Sequence, residues 1–562
     1  MYIKYYPSIL PSAKEVLEVL VNAGHESYFV GGCVRDILRN KEPHDWDICT
    51  EALPSDVIDL FRSSGFTALE TGLKHGTVTV VHREHQFELT TFRIDGQYSD
   101  QRRPDSVEFA KSLTEDLKRR DFTINALAMS IDGKIIDPFG GRIDIQRRIV
   151  RCCGVPEQRF AEDALRMLRA LRFATTLGFS IDEVTGQAIK ENCGSLSKVS
   201  AERLQSELMK LLSGDAFHLR KVLMEYSGVI TTIIPELSEA VGFQQNNPYH
   251  IFDVWEHIVS AVCSIEHGEL CLRMALLLHD IGKPSCYSQD DNGVGYFYRR
   301  DEVGARIALE VLKRLRFDNE STASIVNLVA SHMQHVPETK SATKRMMNRL
   351  GVQQTRRLLK CKLADALASG QTPIVFAPLI KQAEEWIDEV IRDNECFGLK
   401  NLEINGFDLI ELGFERGPEI GAVLSELLET VVGGVSPNNP AELRFHAEQK
   451  LKVLNNKTKE PDNRGKKENI TSPKKQKFKA QQSVWVLKSH GGVSSIGSDG
   501  YYTGDTYIFQ GDKYAVADKD IQKAKKYSTK ARAESACAKL SFVNYYMSVV
   551  EITLDGEEIE ND

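Results

Sequence analysis

A glycine pair followed by Asp-x-Asp constrains this 562-residue chain more than any other feature. The run Tyr28-Phe-Val-Gly31-Gly32-Cys-Val-Arg35-Asp36 begins apolar and aromatic, as a strand does, and continues as a short helix, Cys33 to Leu38. A strand, two glycines and a helix N-terminus cradle phosphate, because bare backbone N–H groups and the helix dipole both face the anion. After the turn Asn40-Lys-Glu-Pro43 a second strand is expected, Asp45 to Cys49. Alternation along that strand sends Asp45 and Asp47 to one face and Trp46 and Ile48 into the core. Two carboxylates on one face beside a phosphate cradle make a Mg²⁺ site. Metal ions held there suit activation of an attacking hydroxyl and departure of pyrophosphate, the chemistry of nucleotidyl transfer. Taken alone, Asp-x-Asp is as readily a solvated strand face in a small α/β domain; the glycine turn just upstream favours the metal.

The length suits three or four domains, and an apolar content of 42% supports ordinary folded cores. A net charge of −8 does not advertise nucleic-acid binding, but local patches, not the sum, set that affinity. Met1-Tyr-Ile-Lys4 is unlike a signal peptide, and no apolar run approaches the ~20 residues that span a bilayer. Eleven scattered cysteines without a C-x-x-C pair indicate a reducing compartment, the cytoplasm, and argue against a disulfide framework or zinc ribbon. Nothing indicates the oligomeric state.

Residues 12–23 are expected as a helix, with Ser12 and Glu15 as a capping box and Gly24 as the stop. Strands dominate to about Arg93, with a hairpin between Thr77–His82 and Phe87–Arg93. From Ile143 to Asn456 apolar residues recur at helical spacing. Residues 456–482 carry nine Lys/Arg against three acids and few large apolar side chains, the composition of a solvated tether more than of an RNA-contacting arm. Beyond it, strands are expected at Trp485–Lys488, Tyr501–Tyr507 and Lys513–Val516 and a helix at Ala531–Leu540, with aromatic and basic residues interleaved and no catalytic constellation.

Further motifs follow in order: Arg119-Arg120-Asp121-Phe-Thr-Ile-Asn125, Asp137-Pro-Phe-Gly-Gly141, Glu162-Asp163-Ala-Leu-Arg166-Met-Leu-Arg169-Ala-Leu-Arg172-Phe, and Ser200-Ala-Glu-Arg203. With the glycine turn and Asp45-Trp-Asp47, they resemble the class II tRNA nucleotidyltransferases, the CCA-adding enzymes of the poly(A) polymerase family, over roughly residues 25 to 450. The resemblance implies an α+β multidomain chain. A small mixed-sheet head like that of DNA polymerase beta would lead into a mostly helical neck, body and tail. It implies template-independent addition of C, C and A to tRNA 3′ ends from CTP and ATP, with Asp45 and Asp47 holding Mg²⁺. Gly31, Gly32 and Arg35 would hold the triphosphate.

Each motif also has its own physical reading. Glu88 points away from Phe87 and Leu89, as a third carboxylate for the RNA 3′ hydroxyl or as an exposed strand residue. Arg119, Arg120 and Asp121 open a helix running through Asn125-Ala-Leu-Ala; arginines suit triphosphate oxygens, and Asp121 or Asn125 suits ribose hydroxyls. The resemblance also places Arg169 and Arg172 in the nucleotide-binding set. Asp163 and Arg166, three apart on a helix, share a face. A carboxylate accepting an exocyclic amine beside a guanidinium donating to a ring acceptor fits both cytosine and adenine, whereas U and G reverse that order and leave buried groups unpaired. The plainer alternative is a surface salt bridge of a few tenths of a kcal/mol. The segment Asp95 to Lys111 is expected as a mobile loop; in the family a loop here supports the switch from C to A addition.

A second pattern occupies the middle of the chain. His257, His279-Asp280 and Asp365 resemble the ligand set of an HD domain, a helical metal-dependent phosphohydrolase fold. Imidazole and carboxylate ligands suit Mn²⁺, Fe²⁺, Ni²⁺ or Mg²⁺. The resemblance makes Lys283 a phosphate contact and His332 a further ligand; Arg300 stands where the family has histidine, which argues for one metal, not two. Phosphatase or 2′,3′-cyclic phosphodiesterase activity would follow, or else a body domain with a vestigial site. The expected divisions are a head (1–142), a helical neck with the base-selecting motif (143–243), an HD domain (244–370), a helical tRNA-binding tail (371–455), the linker (456–482) and a small α+β module (483–562). The alternatives are a poly(A) polymerase, an A-adding or CC-adding sister enzyme, an HD phosphohydrolase with an RNA-binding head, and an RNA-binding adaptor built on the linker and final module.

Overall fold

The computed structural model describes residues 9–73, 76–95, 107–109, 112–248, 250–265, 268–370 and 376–457, and four strands between 484 and 552. They fall into two compact units, the first comprising Met1–Pro284, Gly304–Ala330 and Ala364–Thr372, the second the rest.

The first unit opens with α1 (Pro11–Asn22) and a seven-stranded sheet. Its strands are drawn from β1 (Ser27–Val30), β2 (Ile48–Thr50), β3 (Thr67–Gly72), β4 (Thr77–His82), β5 (His85–Thr91), β8 (Ala128–Met129) and β9 (Ile135–Ile136). β6 (Arg93–Asp95) and β7 (Val107–Phe109) form a separate antiparallel pair. The large sheet runs β3-β4-β5-β2-β1-β8-β9. It is mixed: β2 lies parallel to β5, with Ile48 opposite Leu89, while its other pairs are antiparallel. Val30, Cys49, Phe92, Leu117, Ala126 and Ala128 form a buried cluster beneath it.

Three local expectations are corrected here. The first helix begins at Pro11, not Ser12, and no side chain caps it. Proline's missing N–H costs nothing in the first turn, so Ser12 is buried and Glu15 instead meets His82 Nε2 at 2.6 Å and Arg83 Nη2 at 2.7 Å. Gly24 ends the helix as expected, at φ +88°. The second strand begins at Ile48, not Asp45. Its partner β1 leaves the ladder at Gly31, whose φ of +79° turns the chain, and the last rung is the Val30 N–H to Asp47 carbonyl bond at 3.0 Å. The alternation nevertheless extends outward: Trp46 and Ile48 are buried, Asp47 half-buried and Asp45 exposed. The third correction is at Arg119, where a helix ends instead of beginning. α2 (Gly32–Leu38), α3 (Pro54–Ser63) and α4 (Leu113–Lys118) precede it; then Phe122 is extended and bridges Cys152, and Thr123–Asn125 is a single 3₁₀ turn.

After α5 (Gly141–Arg147) the unit is nearly all helical: α6 (Pro156–Glu162), α7 (Leu165–Leu177), α8 (Glu183–Asn192), α9 (Ala201–Leu212), α10 (Ala216–Glu225), α11 (Ser227–Ile233), α12 (Val254–Cys263) and α13 (Leu270–Leu278). The fully buried Arg273 of α13 donates to the Leu212, Gly214 and Ile265 carbonyls at 2.5 to 2.6 Å and so ties α13 to the end of α9.

In the second unit, helices Lys340–Leu350 and Phe376–Arg392 bury Met347, Ile380, Ala383 and Ile387, and helices Pro418–Val432 and Pro440–Lys457 close over Leu409, Phe414 and Leu443. Strands Val484–Ser489, Gly500–Phe509, Asp512–Asp518 and Met547–Ile552 make an antiparallel sheet. The first three contain the expected strands; the fourth was not anticipated. Residues 96–106 of the expected loop, nearly all of the linker and the expected helix Ala531–Leu540 lie outside the described residues. Among the described residues no helix is long and apolar enough to cross a membrane.

Candidate active site

Gly31 sets the geometry of the first site. Its positive φ starts α2 at Gly32, and a Cβ there would lie 3.0 Å from Arg120 Nη1, so a side chain would displace the guanidinium packed against the turn. Beside this turn a cleft of about 570 Å³ is lined by Gly31, Gly32, Arg35, Asp45, Asp47, Arg119, Arg120, Asp121, Asn125, Asp163, Arg166, Arg169 and Arg172. Leu165, Phe173 and Arg203 complete its wall. Of the residues expected around the nucleotide, Glu88 alone is absent from the lining. It stands exposed on β5 between buried Phe87 and Leu89. The parallel pairing of β2 with β5 still brings its charge near Asp47.

Burial pushes the Asp47 carboxyl up to about 6; Glu88 and Asp45 add to the effect and Arg120 opposes it. The opposite holds at Asp121. Burial alone would raise it, but Arg169 (2.6 Å) and the Asn125 amide (3.0 Å) hold it at about 2. Asn125 in turn accepts from Arg35 Nη1 at 2.8 Å. A chain of charge-assisted bonds therefore fixes Arg35, Asn125, Asp121 and Arg169 on one side of the cleft.

Asp163 and Arg166 both face the cleft, but they are not on one helix. α6 stops at Glu162, Asp163 is extended, and α7 starts at Leu165. Asp163 Oδ1 accepts the Leu165 N–H at 3.1 Å and Oδ2 the Arg203 guanidinium at 2.7 Å. Arg166 binds Glu162 at 2.6 Å and the Arg119 carbonyl at 3.2 Å. The two side chains are thus anchored by different partners on either side of a helix break.

Sequence reasoning missed four supporting residues. Asp116 is fully buried and pairs with both Arg119 and Arg120; its spacing of three and four residues from them was the available signal. Phe173 lies 4.0 Å from the Arg172 guanidinium and within 5.5 Å of those of Arg35 and Arg169. Glu207 holds Arg172 at 2.8 Å. Arg203 belonged to a noted motif but had no assigned part.

The second site lies elsewhere in the first unit. His257 on α12, His279 and Asp280 just after α13, and Asp365 on helix Val352–Ala368 bring one ligand atom each within 4.8 Å of one another. His257 Nε2 lies 3.0 Å from Asp365 and 3.1 Å from Asp280. His279 Nδ1 lies 2.7 Å from the Leu276 carbonyl, which orients its Nε2 to the cluster, the arrangement usual for a metal-bound imidazole. Burial opposes the charges here, yet Lys283 and the imidazoles hold Asp280 well below the ordinary carboxylate range, and Asp280 and Asp365 raise His279 to about 10. Two imidazoles and two carboxylates so arranged suit a divalent cation. Lys283, for which the resemblance implies a phosphate contact, is fully buried, 2.7 Å from both Asp280 and Gln245. Arg300 and His332 belong to the second unit.

The sequence matches the poly A polymerase head domain over residues 27–151, the probable RNA and SrmB-binding site of polymerase A over 178–241, and the HD domain over 249–370. The CCA-adding enzyme of Lactiplantibacillus plantarum is 45% identical over 245 residues, 44% of this chain and 58% of that protein. That of Levilactobacillus brevis is 33% identical over 449 residues, 79% of this chain and 98% of that protein. The crystal structure of the Bacillus stearothermophilus CCA-adding enzyme in complex with CTP matches with a TM-score of 0.59 and 30% identity, covering 80% of this chain and all of that one. A relative matched along almost its whole length at this identity settles the family: the chain belongs to the CCA-adding enzymes.

Proposed function

We propose that this chain adds C, C and A in turn to the 3′ ends of tRNA, taking CTP and ATP, releasing pyrophosphate and using no nucleic-acid template. The observation that carries the reading is the single cleft shared by Asp45, Asp47, the arginine set and the pair Asp163/Arg166. The names of the matched relatives favour CCA addition over a poly(A) polymerase or a CC- or A-only sister.

Asp45 and Asp47 fit Mg²⁺: burial, with the charges of Glu88 and Asp45 added to it, makes the ionised Asp47 costly, and a divalent cation would relieve that cost. Asp45 and Asp47, with Glu88 as a third carboxylate nearby, would hold the ion, and the chemistry it would supply is a lowered pKa at the attacking RNA hydroxyl and neutralisation of charge on the departing pyrophosphate. The protein does the positioning. Gly31 and Gly32 let the backbone approach phosphate, while Arg35, Arg119 and Arg120 present guanidinium groups to the triphosphate. Asp121 and Asn125 orient the ribose, and Arg169 and Arg172 extend the cationic wall. Asp163 accepts the exocyclic amine of cytosine or adenine while Arg166 donates to the neighbouring ring acceptor. UTP and GTP leave both groups mispaired.

The chain works in the cytoplasm on this reading, in keeping with cysteines that are all free among the described residues. The head (1–142) and neck (143–243) form the polymerase, and the tail (371–455) grips tRNA. The HD domain (244–370) holds one divalent metal at His257, His279, Asp280 and Asp365 and hydrolyses phosphate esters at RNA ends. The final module (483–562) is an addition outside the three matched family domains. Sequencing the products made from tRNA, CTP and ATP tests the main claim: A-tracts or CC-only ends would move the chain to a sister activity.

A further inference from the structure

Asp116 belongs to none of the assigned roles, yet it is a fully buried carboxylate beside two of the arginines that line the cleft. It sits on α4, one turn before the paired arginines. Its Oδ1 takes Arg119 Nε at 3.0 Å and Nη2 at 2.6 Å, and its Oδ2 takes Arg120 Nη2 at 3.3 Å. One anion thus clamps two guanidinium groups at once. Arg120 packs against the Gly31 turn, its Nη1 3.0 Å from where a Cβ at Gly31 would lie. The Arg119 carbonyl, fixed by the same clamp, accepts from Arg166 at 3.2 Å. Buried charges of this kind are retained only when fully partnered, and both of Asp116's oxygens are used on residues that line the cleft.

We infer that Asp116 is a positioning residue for nucleotide binding: it holds Arg119 and Arg120 in the orientation that receives the triphosphate. The inference rests on the reading of this cleft as the nucleotide site. Asp116 touches no substrate and acts through the two arginines.

Two variants separate this role from packing. Asp116→Asn keeps the volume but turns one oxygen into an N–H₂ group facing a guanidinium, so one arginine is released. Asp116→Glu keeps the charge and adds a methylene in a tight site. The probes are the KM for CTP and competition by inorganic tripolyphosphate, which reports on the phosphate subsite without base or ribose. The expected result for Asp116→Asn is a rise of about tenfold in both the CTP KM and the tripolyphosphate inhibition constant, with the KM for tRNA unchanged, as for loss of one charge-assisted contact. Asp116→Glu is expected to stay within about threefold of the native values even where its melting temperature falls. The reverse ordering, with Asn harmless and Glu damaging, would overturn the inference and leave Asp116 as a packing residue. If Asp116→Asn yields no folded protein, Asp116→Glu decides: native tripolyphosphate affinity upholds the role and its loss refutes it. Failure of tripolyphosphate to compete with CTP in the native enzyme would instead refute the reading of the cleft, and this inference with it.

Discussion

Mg²⁺ binding should release protons near pH 6, and Asp47 should be their source. Moving this carboxyl from 3.8 to about 6 makes its ionised form costlier by about 3 kcal/mol. The cause is burial reinforced by Glu88 and Asp45. The unfolded chain ionises it near 3.8 and the folded protein near 6, so between those values the native state holds the extra proton. Metal-free stability therefore falls as the pH rises through that window, the sign expected for a carboxyl whose folded pKa is raised. A cation between Asp45 and Asp47 needs the ionised form and competes with the proton. At pH 6 each binding event should displace roughly half a proton, at pH 8 almost none, and the apparent affinity should fall about tenfold from pH 7 to pH 5. Calorimetric Mg²⁺ titrations in two buffers of different ionisation enthalpy count those protons. Asp47→Asn should abolish both the release and the pH dependence. Native protein that binds Mg²⁺ at pH 6 without releasing protons would refute the argument.

Asp163→Ala should lower the ratio of kcat/KM for CTP over UTP by about 100-fold, because the acceptor for the exocyclic amine is gone; an unchanged ratio measured with single nucleotides would remove Asp163 from base selection. Phe173→Ala should cost about 3–5 kcal/mol in urea unfolding, since a buried ring packed edge-on against Phe122 is lost and three guanidinium groups lose their platform. A loss below about 1 kcal/mol would mean the site collapses to fill the gap. Asp365→Ala should abolish Mn²⁺ or Ni²⁺ binding at the HD site while CCA addition continues; equal loss of both would tie the two sites together.

The parts of the fold and site legible in the sequence were those set by near neighbours. The Gly31 turn, the α2 start and the facing of Asp45 and Asp47 follow from glycine conformation and two-residue alternation, both local. The hairpin of β4 and β5 was legible for the same reason. Arg119 was misread as a helix start because nothing nearby in sequence reveals the Phe122–Cys152 bridge that pulls the chain straight. The break at Asp163 is equally distant in origin. Periodicity runs unbroken from Phe160 through Leu168, but the Asp163 carboxylate accepts the Leu165 N–H and is anchored by Arg203, forty residues on. Asp116 was missed because the helix that carries it, Leu113–Lys118, was not expected ahead of Arg119, and only tertiary packing buries its carboxylate.

The most direct test of the central claim begins with purified protein, Mg²⁺, CTP, ATP and a tRNA ending at the discriminator base. Sequencing of the 3′ ends should give molecules that end in CCA and stop there, with none extended when Asp47→Ala replaces the native protein. Normal extension by Asp47→Ala, or no extension by native protein that binds the tRNA, would contradict the account and turn attention to His257 and Asp280 as the working site.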